Sequence, residues 1–295
     1  MDFFLQLGIN GLVVGSIYAL VALGFVIIYK SSGILNFAQG EFLLIGAYVF
    51  LAILEKGHVP LLPALALTVV CSVILGLLLE RLVLRPMIGE PIISVIMVTL
   101  GLSSILRAVV QGIWGTDTRP FPEVFESAPI QIGPLPVSRG YIFSVVSAAI
   151  LLVAFSVFFR FARVGIAMRA TAFSQQVALS MGISVKHIFA ISWSIAAVVS
   201  ALGGILLGAL RGGIDGSLAV IGMKALPVVI LGGLDSIGGA IVGGLIIGVL
   251  ENLAGGYLDP VFGGGVKEVA PFVVLVLILM VKPYGLFGKV KIERV

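Results

Sequence analysis

Long apolar runs joined by short polar stretches fill the chain, and the length of each run sets what it can form. A hydrocarbon core of about 30 Å needs roughly 20 apolar residues of helix to cross it. Runs of that kind predict spans from Phe3 to Tyr29, Ile34 to Leu54, Pro60 to Leu79, Pro91 to Trp114, Tyr141 to Phe159 and Ile188 to Leu210, with a shorter one from Val269 to Val281. Between the last two lies Met223 to Leu253. At about 1.5 Å per residue it would measure about 46 Å as one helix, too long for one comfortable crossing and too short for two. Its centre, Gly232-Gly233-Leu234-Asp235-Ser236-Ile237-Gly238-Gly239, breaks a helix and offers a carboxylate, so a broken or re-entrant helix pair over 223–253 is the economical arrangement. The pattern therefore predicts an all-α polytopic membrane protein with about eight hydrophobic segments, forming a single transmembrane domain over 1–295.

Polar residues inside apolar runs are the first candidates for function. Asn36, Gln39 and Glu41 sit between Gly33 and Gly46 at the start of the second span. An ionised side chain near the bilayer centre costs at least roughly 2.5–3.5 kcal/mol, so Glu41 must face protein, water or a partner charge. Gly33 and Gly40 bracket the stretch and permit a backbone break whose freed polar groups line a cavity. In the fourth span Arg107 and Gln111 share one helical face near Ser103 and Ser104. Two readings of Arg107 are open: it snorkels to the interface, or it is a charge of the pathway or of an inter-subunit contact. Gly11 with Gly15, and Gly204 with Gly208, stand four apart and make grooves where another helix can approach closely.

Composition agrees with this pattern: 60% of the residues are hydrophobic and 11% charged, and the mean hydropathy is +1.23. A soluble domain carries about a quarter charged residues. The net charge of +4 is small and unevenly spread, so it speaks for topology rather than for nucleic acid binding. With the N-terminus outside, the cytoplasmic side collects Lys30, Arg81, Arg85, Arg160, Arg163, Arg169, Lys186, Lys282, Lys289, Lys291 and Arg294, against Lys56, Arg119, Arg139, Arg211, Lys224 and Lys267 outside. An outer N-terminus and a cytoplasmic C-terminus follow, with the long loop from Gly115 to Gly140, carrying Asp117, Glu123 and Glu126, outside. No basic leader precedes the first run, which is expected to stay in the mature protein.

Absent motifs narrow the chemistry. The single cysteine, Cys71, forbids an internal disulfide or a cysteine metal cluster, and His58 has no partner at ligand spacing, so no metal site is expected. No phosphate-binding loop, zinc-protease motif or nucleophile elbow occurs, so the chain is expected neither to hydrolyse nucleotide alone nor to act as an intramembrane hydrolase. Transport remains. In the basic loop 160–187, Ile166, Ala170, Phe173, Val177 and Met181 repeat at three- and four-residue spacing, Arg169, Gln176 and Ser180 lie off that stripe, and Gly182 ends it. Such an amphipathic helix either lies on the lipid surface or docks into a cytoplasmic partner.

Three motifs in order carry a resemblance: Asn36-Phe37-Ala38-Gln39-Gly40-Glu41 followed by Gly46-Ala47-Tyr48; Arg169-Ala170-Thr171-Ala172 followed by Met181-Gly182-Ile183; and Leu231-Gly232-Gly233 with Ser236-Ile237-Gly238-Gly239-Ala240. Together they resemble the inner-membrane permeases of branched-chain amino acid ABC importers, the LivH type, over nearly the whole chain. The resemblance implies ABC importer permease architecture and a permease subunit that is not itself an enzyme. Its implied partners are a second permease, two cytoplasmic ATPases and a periplasmic or extracellular solute-binding protein. It also implies that Arg169, Phe173, Val177, Met181 and Gly182 belong to the coupling helix seated in an ATPase groove. Alternating access would then move the gap near Asn36, Gln39, Glu41, Gly232, Gly233 and Asp235 between outward and inward opening. Glu41 and Asp235 either cap broken half-helices or touch substrate. The family also contains urea and short-chain amide permeases, and an ion-coupled carrier or channel is the reading from a different class.

Overall fold

A computed structural model describes residues 2–57, 59–122, 129–132 and 135–288; His58, Glu123, Glu126, Lys289, Lys291 and Arg294 lie outside the described residues. With no water in the bilayer to pair backbone groups, apolar runs satisfy them as helix. In chain order these are α1 (Asp2–Ser32), α2 (Gln39–Gly57), α3 (Leu61–Leu79), α4 (Ile92–Trp114), α5 (Arg139–Phe161), α6 (Arg163–Phe173), α7 (Gln175–Ser180), α8 (Val185–Arg211), α9 (Ser217–Gly232), α10 (Ile237–Tyr257), α11 (Asp259–Phe262) and α12 (Val266–Val281). Four short strands complete the elements: β1 (Arg119–Pro120) pairs antiparallel with β4 (Gly213–Ile214), and β2 (Pro129–Ile132) with β3 (Leu135–Ser138). Among the described residues six segments are long and apolar enough to cross a membrane: Phe3–Ser32, Leu61–Met87, Ile92–Trp114, Arg139–Phe161, Val185–Arg211 and Ile237–Tyr257. The remaining apolar helices are α2, which carries Glu41 and Glu55, and α9 and α12, each of 16 residues.

Several boundaries differ from the apolar pattern for local reasons. The second run begins at Ile34, but α2 begins at Gln39, because Gly33 ends α1 at φ +74° and the Asn36 side-chain oxygen accepts from the Ala38 amide. At the far end of α3 the chain continues as a π-turn over Glu80–Leu84 and a 3₁₀ turn over Arg85–Met87. That rewinding brings Arg85 back onto the buried Glu80 carboxylate in a two-point contact of 2.9 and 3.3 Å. The helix of α9 starts at Ser217, six residues before the expected Met223, because Asp215 accepts from both the amide and the hydroxyl of Ser217. The same hydroxyl bond is the main reason the Asp215 carboxyl is held below the usual carboxylate range.

The chain divides into two compact units, one of Met1–Val26, Phe125–Leu152 and Lys224–Val295, the other of Ile27–Val124 and Val153–Met223. In the first, α10 packs on α12, and Gly244 and Gly248 meet Gly11 and Gly15 of α1: a Cβ at Gly11 would lie 2.6 Å from Val249 Cα, and one at Gly248 2.4 Å from the Gly11 carbonyl. In the second, α8 packs against both α2 and α3. A Cβ at Gly46 would lie 2.2 Å from Ala201 Cβ, one at Gly204 2.1 Å from the Leu43 carbonyl, and one at Gly76 2.6 Å from Ser194 Cα. Above this contact Phe42 meets Trp193 edge to face, with centroids 5.8 Å apart.

Gly46→Val therefore forces α2 off α8. Overpacking of this kind costs roughly 1–3 kcal/mol or more, and thermal unfolding of the purified protein should show a clear loss of stability. Gly101→Ala, where a Cβ meets nothing within 4 Å, should leave the transition in place.

Candidate functional site

The break between α1 and α2 is held by side chains. Asn36 Nδ2 donates to Gln39 Oε1 at 3.3 Å, Gln39 Nε2 donates to Ser200 Oγ at 2.6 Å and to the Ala196 carbonyl at 3.4 Å, and Thr99 Oγ1 accepts from the Phe37 amide at 3.4 Å. Asn36, Gln39, Thr99 and Ser200 are all fully buried. Polar groups cost little to bury once each has a partner, and a closed amide network fixes one geometry. One turn on, Gly40 lets the start of α2 touch the first half of α9: a Cβ at Gly40 would lie 2.2 Å from the Ala219 carbonyl, and one at Gly222 2.5 Å from Gly40 Cα.

Glu41 stands in the first turn of α2, where the helix dipole favours a carboxylate. Its Oε1 accepts from Arg107 Nη2 at 2.7 Å and from Nε at 3.2 Å, while Oε2 is buried with no hydrogen-bond partner among the described residues. Glu41 is 2% exposed, but the Arg107 side chain is 38% exposed. The two charges singled out separately in the sequence thus form one ion pair.

In the other unit, α9 stops at Gly232 and α10 starts at Ile237. Gly233 has φ +103°, and Gly232 and Gly239 lie backbone on backbone, with a Cβ at Gly232 falling 2.2 Å from the Gly239 carbonyl. The last carbonyls of α9 accept from the amides of Leu286 and Phe287, at 2.8 and 3.1 Å, and Ser236 caps α10 by accepting from the Gly239 amide at 3.0 Å. The capping side chain is thus Ser236, one residue after Asp235. Because Asn36–Glu41 and Gly232–Asp235 fall in different units, each group is a local arrangement of its own.

The segment expected as one amphipathic helix over 165–183 is two. Ser174 takes an extended backbone and its hydroxyl accepts from the Val177 amide, so it ends α6 and caps α7, the usual competition of a serine hydroxyl with helical pairing. After α7, Gly182 at φ +81° donates to the Leu179 carbonyl and Ile183 donates to that of Ala178, which is a Schellman stop. Phe173, Val177 and Met181 are exposed, at 91, 58 and 77%, joined by Leu179. Arg169 is set apart from them: it donates to the carbonyls of Phe159 and Arg160 and lies over the Phe159 ring, fastening α6 to the end of α5.

One cluster escaped the sequence. Lys224, counted there among the outside charges, is 5% exposed and binds Glu251 of α10 at 2.8 Å and Glu268 of α12 at 2.9 Å. No group of three or more potential metal-ligating side chains occurs among the described residues.

Residues 8–281 match the family described as the permease component of branched-chain amino acid transport systems. The chain belongs to this family. It is 32% identical over 312 residues to the high-affinity branched-chain amino acid transport system permease protein LivH of Escherichia coli (strain K12), covering 99% of this chain and 98% of that one. The permease is also 31% identical to BraD of Pseudomonas aeruginosa, with the same coverage, and 28% identical to a probable LivH of Methanocaldococcus jannaschii over 95% of this chain and 91% of the relative. Among solved structures, PsaBC from Streptococcus pneumoniae in complex with Fab aligns with a TM-score of 0.48 at 15% identity, over 95% of each chain. Family and apolar helices together make the chain a multi-pass permease component of a transport system.

The ion pair gives the site its test. Removing one partner leaves the other charge at membrane depth, so Arg107→Met and Glu41→Gln should each destabilise the purified permease, by about 1–3 kcal/mol given the partial exposure of Arg107. The double variant should recover part of that loss, and additive losses in thermal unfolding would show that the pair carries no coupling.

Proposed function

We propose that this chain is the membrane-spanning permease subunit of an ABC importer for branched-chain amino acids in the cytoplasmic membrane. The observation that carries the reading is the family match over residues 8–281, supported by relatives aligned along nearly their whole length. The subunit pairs with a second permease, receives solute from a binding protein, and leaves ATP hydrolysis to two cytoplasmic ATPases. Asn36, Gln39 and Glu41, and separately Gly232, Gly233 and Asp235, are the joints at which helices tilt as access alternates. A zwitterion needs little charge from such a passage, and affinity resides in the binding protein.

The docking surface is the exposed apolar group Phe173, Val177 and Met181, stopped by Gly182. Arg169 serves it indirectly, by holding α6 against α5 so that a push on the loop reaches the spans. An apolar stripe of this exposure on a basic loop fits a groove in a protein partner, and ATP-driven closure of the ATPases supplies the push.

Uptake by the reconstituted complex tests both parts. Leucine, isoleucine and valine should be accumulated and should compete with one another, whereas urea and acetamide in excess should leave uptake unchanged; preferential urea or amide uptake would move the substrate elsewhere in the family. Val177→Asp puts an unpaired charge in the groove, and leucine uptake per assembled complex should fall at least about tenfold while ATP hydrolysis persists.

Orientation has its own check. On a Cys71→Ser background, Asp117→Cys and Leu258→Cys should react with an impermeant thiol reagent in intact cells, and Ser180→Cys only after permeabilisation. The opposite pattern would invert the topology.

A further inference from the structure

We infer that Arg107 is a transient binding point for the carboxylate of the passing solute, and that Ser103, Arg107 and Gln111 form a polar, water-accessible strip on an otherwise lipid-facing side of α4. This rests on the transport reading above and deepens it to a named contact. The exposed face of α4 is apolar at Ile93, Met97, Ile105, Val109 and Ile113, as lipid requires. Beside it Ser103, Arg107 and Gln111 stand four apart and share one edge of the helix, Ser103 next to Glu41, with Ser104 exposed alongside. Arg107 lies seven residues before Trp114, hence about 10 Å along the helix from its end. Trp114 stacks near Tyr48, seven residues after Glu41, so α2 and α4 run side by side in register and the guanidinium is held level with Glu41. Glu41 meets one side of this cation; the other, with more than a third of the side chain exposed, is costly to leave in lipid and calls for water or an anion before it.

The strip continues towards the loops. A Cβ at Gly216 would lie 3.9 Å from Gln111 Nε2, and next to it Asp215 is already occupied by Ser217 and Thr118, so the cation that the strip offers is the side of Arg107 turned away from Glu41. Glu41 sets the strength of the site. An unshared guanidinium would hold a carboxylate tightly by a two-point charged contact. With two of its donors on Glu41, Arg107 offers only the remaining ones, from a pair of zero net charge. Solute must leave a pathway as readily as it enters, which a shared cation allows.

The test uses the assembled transporter in membrane vesicles on a Cys71→Ser background, probed with two small thiosulfonates, one anionic (sulfonatoethyl) and one cationic (trimethylammonioethyl), with rates normalised to a free thiol. Ser103→Cys and Gln111→Cys should react at least about tenfold faster than Ile105→Cys and Val109→Cys. At Ser103→Cys the anionic reagent should lead the cationic one by about fivefold or more. Arg107→Gln should abolish that lead and Arg107→Lys should keep it, each scored only on complex recovered in assembled form. Unreactive strip positions, as expected of burial against a second permease or lipid, would overturn the inference, and so would reactivity without charge preference. A transporter that passes these tests but does not take up branched-chain amino acids would fault the substrate assignment and leave the anion-binding strip standing.

Discussion

Close approach of backbone to backbone is the constraint on which the rest of this structure depends. In lipid, apolar surface gains nothing by leaving its surroundings for another helix, so association relies on van der Waals contact and on hydrogen bonds that short distances allow. Glycine supplies those distances at Gly46 and Gly204 between α2 and α8, at Gly76 between α3 and α8, and at Gly11, Gly15, Gly244 and Gly248 between α1 and α10. The buried polar network exists only because of this. Gln39 reaches Ser200 at 2.6 Å since α2 and α8 are already pressed together one and two turns further along.

The legibility of the chain follows from which interactions are local. Runs of apolar residues and the glycine breaks were readable, because length and backbone freedom are properties of a single stretch. So were Asn36, Gln39 and Glu41, whose cost in lipid is independent of their surroundings. What holds them was not readable: Ser200 and Arg107 lie 161 and 66 residues from Gln39 and Glu41, and Thr99, which accepts from the Phe37 amide, lies 62 residues from it. A signal for the Glu41–Arg107 pair was present, in that two isolated opposite charges inside apolar spans each required a counterpart.

Two further differences show local chemistry overriding pattern. Lys224 was counted only among the outside charges, one residue into an apolar run taken to start at Met223. The turn built by Asp215 and Ser217 starts the helix earlier and draws Lys224 two turns inward, to where Glu251 and Glu268 meet it. In the loop, the spacing of Ile166, Ala170, Phe173 and Val177 is helical throughout, but a hydroxyl at Ser174 offers the backbone a competing partner and splits the helix there. Periodicity reports which side chains share a face; it is blind to a single side chain that ends the element carrying them.

The two interruptions are built from different materials, and this separates what each can do. At Gly232 the joint is made mainly of backbone: carbonyls of α9 meet amides of Leu286 and Phe287, glycine contact brings α9 and α10 together, and the Ser236 hydroxyl caps α10. At Asn36 the joint is made of amide and hydroxyl side chains with defined donors and acceptors, closed on one side by Ser200 and continued by the charge pair to Arg107. Several directional bonds act there at once, so the network and the charge pair specify how α2 sits against α8 and α4. The two joints therefore differ in what disturbs them: added volume at Gly232, where backbones touch, and a lost donor or acceptor at Asn36, where side chains hold the break.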